Sequence, residues 1–77
     1  MPDVRSPIPG IFYRRPSPDA DVFVEEGDTV DADAVIGLVE VMKQFHEVRT
    51  DAAGTVGAFQ VENEGTVDVG QVIVDVS

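Results

Sequence analysis

The chain has 77 residues, 43% of them apolar, with five basic and fifteen acidic side chains, a net charge of −10 and no cysteine. That length allows one small domain, residues 1–77, in a size range that buries only about 60% of the unfolded surface. The charge excludes nucleic acid and anionic membranes as partners, because both would repel this surface, and the missing cysteines exclude a disulfide framework and a thiolate metal site.

The opening "MPDVRSPIPG" lacks the basic start and apolar middle of a signal peptide. No apolar run approaches the roughly 20 residues needed to cross a bilayer, so a cytoplasmic protein is expected. Alternation and β-branching then predict strands over Ile11 to Tyr13, Val22 to Glu25, Val35 to Val41, Phe45 to Thr50, Thr55 to Val61 and Val72 to Val76, with no helical period anywhere. Glycines 10, 27, 37, 54, 57, 65 and 70 fall mostly between these runs, where turns favour a residue free to take positive φ.

A repeat organises these elements. Shifted by 37 places, Val22 to Glu40 aligns with Phe59 to Ser77, and eight of the nineteen positions are identical, against about two or three by chance in so biased a composition. Upstream, "RSPIPG" (5–10) aligns with "RTDAAG" (49–54) at an offset of 44, so the first half carries seven extra residues between Gly10 and Val24. The segment "YRRPSPDAD", proline-bearing and without period, is the insertion; stiffened by its prolines, it reads as an ordered protruding loop over about 15–21. Two pseudo-symmetric β-halves packed face to face follow as the expected architecture.

The only lysine, Lys43, stands with Met42 between two predicted strands. Two-residue hairpin loops favour Asn-Gly or Asp-Gly because their central residues take positive φ. Met-Lys breaks that preference, and local rules are most often broken at functional sites. A catalytic lysine needs burial or a neighbouring cation to be neutral near pH 7, whereas the expected surroundings of Lys43 are acidic, with Glu40 and Glu47. Lys43 therefore reads as the substrate of another enzyme and the domain as non-catalytic. A solvated surface lysine is the bland alternative.

"EVMK" (Glu40 to Lys43) resembles the Glu-x-Met-Lys attachment motif of the biotinyl/lipoyl-attachment domains. "SPIPGIFYRRPSPDADVFVEEGDTV" (Ser6 to Val30) is similar to the start of the biotin carboxyl carrier proteins of acetyl-CoA carboxylase, where Phe-Tyr-Arg-x-Pro-Ser-Pro-Asp-Ala introduces a protruding thumb. "AGTVGAFQVENEGTVDVGQVIVDV" resembles the family's second half, so the likeness covers nearly all the chain from Val4. It implies an all-β flattened barrel of two four-stranded antiparallel sheets with pseudo-twofold symmetry and the lysine at a hairpin tip. Biotin would be joined by an amide to Lys43, with Glu40, Met42 and Gln44 as the motif met by a biotin protein ligase.

The thumb would comprise Arg14, Arg15, Pro16, Ser17, Pro18, Asp19 and Ala20, its arginines either meeting biotin's ureido oxygen or a partner's carboxylates, or simply keeping the loop solvated. The implied partners are a biotin carboxylase and a carboxyltransferase, acting on acetyl-CoA or another acyl-CoA in fatty acid synthesis, with urea or another amide substrate left open. Met42 and the thumb favour biotin over lipoate, since lipoyl domains usually have Asp before the lysine and no thumb. A lipoyl carrier and an unmodified interaction or regulatory module are the alternatives. Gln44 departs from the apolar residue common after the family's lysine, although Phe45 follows it directly.

Other candidates carry little. Adjacent strand residues point to opposite faces, so His46 and Glu47 make no acid–base pair. The acidic stretches 25–33 and 62–68 lack the ligand spacing of an EF-hand loop, and no metal site is expected. Nine aspartates against one lysine fit a high-salt cytoplasm and an ordinary small acidic domain equally well.

Overall fold

The computed structural model describes residues 3–77. Its elements are β1 (Asp3–Arg5), β2 (Gly10–Tyr13), β3 (Thr29–Val30), β4 (Val35–Val41), β5 (Gln44–Arg49), β6 (Gly54–Phe59), β7 (Thr66–Val67) and β8 (Val72–Val76). They form two four-stranded antiparallel sheets, ordered β1-β8-β6-β3 and β5-β4-β2-β7. The molecule is flattened, 31 × 28 × 19 Å. The all-β class and the two-sheet architecture expected from the sequence are both present.

The repeat is written into the backbone. Advancing β4 and β3 by 37 residues gives β8 and β7, and advancing β1 and β2 by 44 gives the end of β5 and the start of β6. The bulge between Val4 and Arg5 opposite β8 recurs between Val35 and Gly37 opposite β5. Positive φ at Gly27 and Asp33 recurs at Glu64 and Gly70, 37 residues on. Even the two buried polar residues correspond: the Ser6 hydroxyl donates to the Ile8 carbonyl at 2.6 Å and the Thr50 hydroxyl to the Ala52 carbonyl at 2.8 Å. Each thereby satisfies a hydroxyl that would otherwise be costly to bury.

Between the sheets lies a core of small branched side chains. Phe12, Ile36, Val39, Val56, Val67, Ile73, Val74 and Val76 are at most 1% exposed. Phe12 is the one large ring fully inside, and it lies against Gly37, where a Cβ would collide with it. The absence of a side chain at Gly37 thus makes room for the aromatic ring rather than serving a turn.

Several sequence expectations need correction. Val22 to Glu25 is not a strand; Val24 turns inward as a buried plug, as its repeat partner Val61 does at the end of the predicted 55–61 run. Strands β1, β3 and β7, of two or three residues, escaped the sequence pattern because period-2 alternation needs at least four positions to register. Of the seven glycines, only 27, 54 and 70 take positive φ, and Gly10, Gly37 and Gly57 sit inside strands with their neighbours packed close.

Phe12→Ala should lower unfolding free energy by about 3–5 kcal/mol. In a domain this small that is a large share of the total, so urea denaturation should find the variant largely unfolded near room temperature. A loss below about 1 kcal/mol would contradict the packing role of this ring.

Candidate functional site

Val41 pairs with Gln44 across the β4–β5 ladder, leaving Met42 and Lys43 as a two-residue turn. Met42 takes φ 51° and Lys43 φ 66°, as the right-handed twist of a tight hairpin requires of both central residues. Neither side chain suits that region, at a cost on the order of 1–2 kcal/mol per residue. Both residues thus occupy the backbone region that the preferred Asn-Gly or Asp-Gly would hold with less strain. Met42 is 91% exposed and Lys43 is exposed beside it, with no salt bridge to the lysine among the described residues.

The acidic neighbours expected around Lys43 are engaged elsewhere. Glu47 pairs with Arg49 on its own strand. The Glu40 carboxylate accepts a hydrogen bond from the Tyr13 hydroxyl at 2.9 Å. Tyr13 lies on β2 opposite Leu38, so its side chain reaches diagonally along the outer face of β4 to Glu40. Phe45, the partner of Glu40 on β5, meets the Tyr13 ring edge-on with centroids 5.7 Å apart. Three strands are thus tied together immediately below the turn. The hydrogen bond to Glu40, then burial and the negative charges of Glu40 and Glu64, raise the Tyr13 pKa above its ordinary value.

The thumb stands beside this outer face. The Phe23 N–H donates to the Arg14 carbonyl at 2.8 Å and closes its base, and a turn from Ser17 to Ala20 shapes its tip. Arg14 itself is a root rather than a reaching arm: its backbone N–H donates to Asn63 Oδ1 at 2.8 Å, and its guanidinium covers the Phe59 ring at 4.2 Å. Arg15 to Pro18 turn toward the hairpin and, with Tyr13, Glu40 and Phe45, enclose a groove of about 320 Å³. Asp19 and Ala20 lie outside it, and Gln44 is exposed at the first position of β5.

Sequence reasoning brought Glu40, Met42, Lys43 and the thumb together. It missed Tyr13, Asn63 and Glu64. Glu64 had a legible signal: it stands in the repeat where the other half has Gly27, and like that glycine it takes a positive φ, here 68°. Among the described residues no cluster could hold a metal ion, and no helix is long and apolar enough to cross a membrane.

Replacing the turn by Asn-Gly (M42N with K43G) should raise unfolding free energy by about 1–2 kcal/mol, through relief of the positive-φ strain; an unchanged denaturation midpoint would contradict that strain. Tyr13 is the only tyrosine, so absorbance near 295 nm follows it alone. Its midpoint should lie above the ordinary value of about 10 and fall back toward it in Glu40→Ala. Because the fold favours the neutral phenol, any stability linked to this group is present below that ordinary value and is lost as pH rises through the folded one.

Comparison with known proteins agrees with this geometry. The family model described as "Biotin-requiring enzyme" matches residues 2–76. The chain is 42% identical over 65 residues to the biotin carboxyl carrier protein of acetyl-CoA carboxylase from Haemophilus influenzae, covering 84% of this chain and 42% of that one. It is 38% identical over 68 residues to the protein of the same name from Pseudomonas aeruginosa, covering 88% and 44%. The chain thus spans about two-fifths of the length of these relatives. The urea carboxylase of Kluyveromyces lactis contains the same fold, with a TM-score of 0.79 at 21% identity over 97% of this chain and 6% of that one. With the fold, the lysine turn and the family model in agreement over nearly its whole length, the chain belongs to the biotinyl/lipoyl-attachment domain family.

Proposed function

We propose that this chain is the biotin-bearing carrier of a multi-subunit biotin-dependent carboxylase, with biotin joined by an amide to the Lys43 Nζ. The observation that carries the proposal is a lone amine displayed on a strained turn beside a thumb-bounded groove. A groove of about 320 Å³ lies at the lower end of the range for small-molecule sites, and its lining of Tyr13, Pro16, Pro18 and Phe45 around a few polar groups suits a bicyclic ring. The thumb favours biotin over lipoate, whose single dithiolane ring is smaller than biotin's fused bicycle and lacks its ureido group.

Biotin, when attached, supplies a ring nitrogen that carries a carboxyl group. The chain's own contribution is mechanical. The barrel holds the turn outward, exposure of Met42 and Lys43 leaves them accessible to a ligase, and the tether keeps its cargo at high effective concentration between two active sites. Those sites belong to a biotin carboxylase and a carboxyltransferase, the latter acting on acetyl-CoA or another acyl-CoA. Attachment removes the one lysine charge and makes the domain more negative, so carriers repel one another and basic or neutral partner faces are favoured. No side chain of the domain is asked to make or break a bond after attachment, and the cytoplasm is the expected setting.

Expression with a biotin protein ligase should increase the intact mass by one biotin less one water, and Lys43→Arg should abolish the increase and all carboxylase activity of the assembled complex. A mass increase of lipoyl size would replace biotin by lipoate. Full complex activity with Lys43→Arg would favour an unmodified module.

A further inference from the structure

The pseudo-twofold supplies an internal control for the face below Lys43. Ile11 pairs with Glu40 and Phe12 with Val39 in one half; the equivalents in the other are the Thr55–Ser77 and Val56–Val76 pairs, joined by the same ladder. At the position of Tyr13 the second half has Gly57, and at the position of Glu40 it has Ser77. The Asp75 carboxylate lies directly over Gly57. That half has neither a tyrosine nor a glutamate at these places, and its ladder shifts register just after Val56, whereas the β2–β4 pairing runs on regularly through Tyr13.

The Tyr13–Glu40 hydrogen bond is well made. The hydroxyl–carboxylate distance is 2.9 Å, Phe45 buttresses the ring on the far side, and the pair forms one wall of the groove beside the thumb. Glu40 is three residues from Lys43. Left free, its carboxylate would sample several rotamers, among them ones directed at the lysine ammonium; held by Tyr13, it keeps one direction along the outer face. Fixing a side chain before encounter removes an ordering cost on the order of 0.5–1.5 kcal/mol from binding.

We infer that Tyr13 is a positioning residue for the modification of Lys43: it holds the Glu40 carboxylate on the outer face of the hairpin, oriented for the ligase and away from the amine. This inference rests on Lys43 being the attachment site. It predicts that Tyr13 acts through Glu40, on recognition of the domain and not on the chemistry at Nζ.

The test is steady-state biotinylation of the purified chain by a biotin protein ligase with biotin and ATP, read by intact mass across a range of domain concentrations. Tyr13→Phe keeps the ring and its contact with Phe45 and deletes only the hydroxyl. It should raise the KM for the domain about three- to tenfold with little change in kcat, the size expected for one lost hydrogen bond, while its denaturation midpoint stays close to that of wild type. In a Glu40→Ala background the same substitution should add nothing further. Equal KM values for wild type and Tyr13→Phe would overturn the inference while leaving Lys43 as the attachment site. So would an undiminished Tyr13→Phe effect in the Glu40→Ala chain, or a fall in kcat alone. A wild-type chain that no ligase modifies would overturn the inference together with the attachment reading beneath it.

Discussion

Phe12, Ile36 and Ile73 occupy the space between two sheets that have few other large side chains to put there. Everything else depends on that packing. Valines on the inner faces of both sheets close around these three, and each sheet uses them to bury a face that it could not bury alone. The room for Phe12 comes from Gly37 on the neighbouring strand, so a residue without a side chain determines where the largest core ring can lie. A ladder held this firmly from beneath can tolerate two non-glycine residues at positive φ at its tip, because the strain is local and the register of β4 on β5 is set by the core.

Symmetry explains the scaffold, and its violations cluster near the β4–β5 hairpin. Backbone bulges, positive-φ positions and the buried Ser6 and Thr50 hydroxyls all recur in both halves. The thumb and the Tyr13–Glu40 pair have no counterpart in the second half, and the Met42–Lys43 turn lies where the two halves join. Thumb residues 15–18 and the Tyr13–Glu40 pair line the groove, and the turn follows Glu40 at the end of the same hairpin. An insertion into a β-scaffold is tolerated best at the surface and between strands, and here it follows β2, next to the hairpin it serves.

Charge shapes the outside in the same economical way. Fifteen acidic groups surround a single lysine, yet the two carboxylates nearest to it in sequence are taken by Tyr13 and Arg49. Among the described residues the amine has no ion-pair partner, and it stands on a surface whose net charge repels other copies of itself. The lack of any other lysine leaves no competing side-chain amine.

The all-β class, the two related halves, the place of the insertion and the candidate lysine were all legible in the sequence. Each rests on a property local to the chain: alternation, an offset between similar segments, a proline-rich interruption, or a turn sequence that breaks a backbone preference. The three shortest strands were not legible, because two or three residues carry no period. Nor was the inward turn of Val24, which reads as strand although it, like its repeat partner Val61, lies outside the ladders as a buried plug. Tyr13 reads as one more aromatic in a strand, and Glu40 and Glu47 read as company for Lys43. Glu47 meets Arg49 two residues along its own strand, but only the pairing of β2, β4 and β5 decided that Glu40 faces Tyr13 and that the thumb and the hairpin strands enclose a groove. Those outcomes depend on which strands become neighbours, and that is settled by burial of the inner faces rather than by any residue's own sequence context.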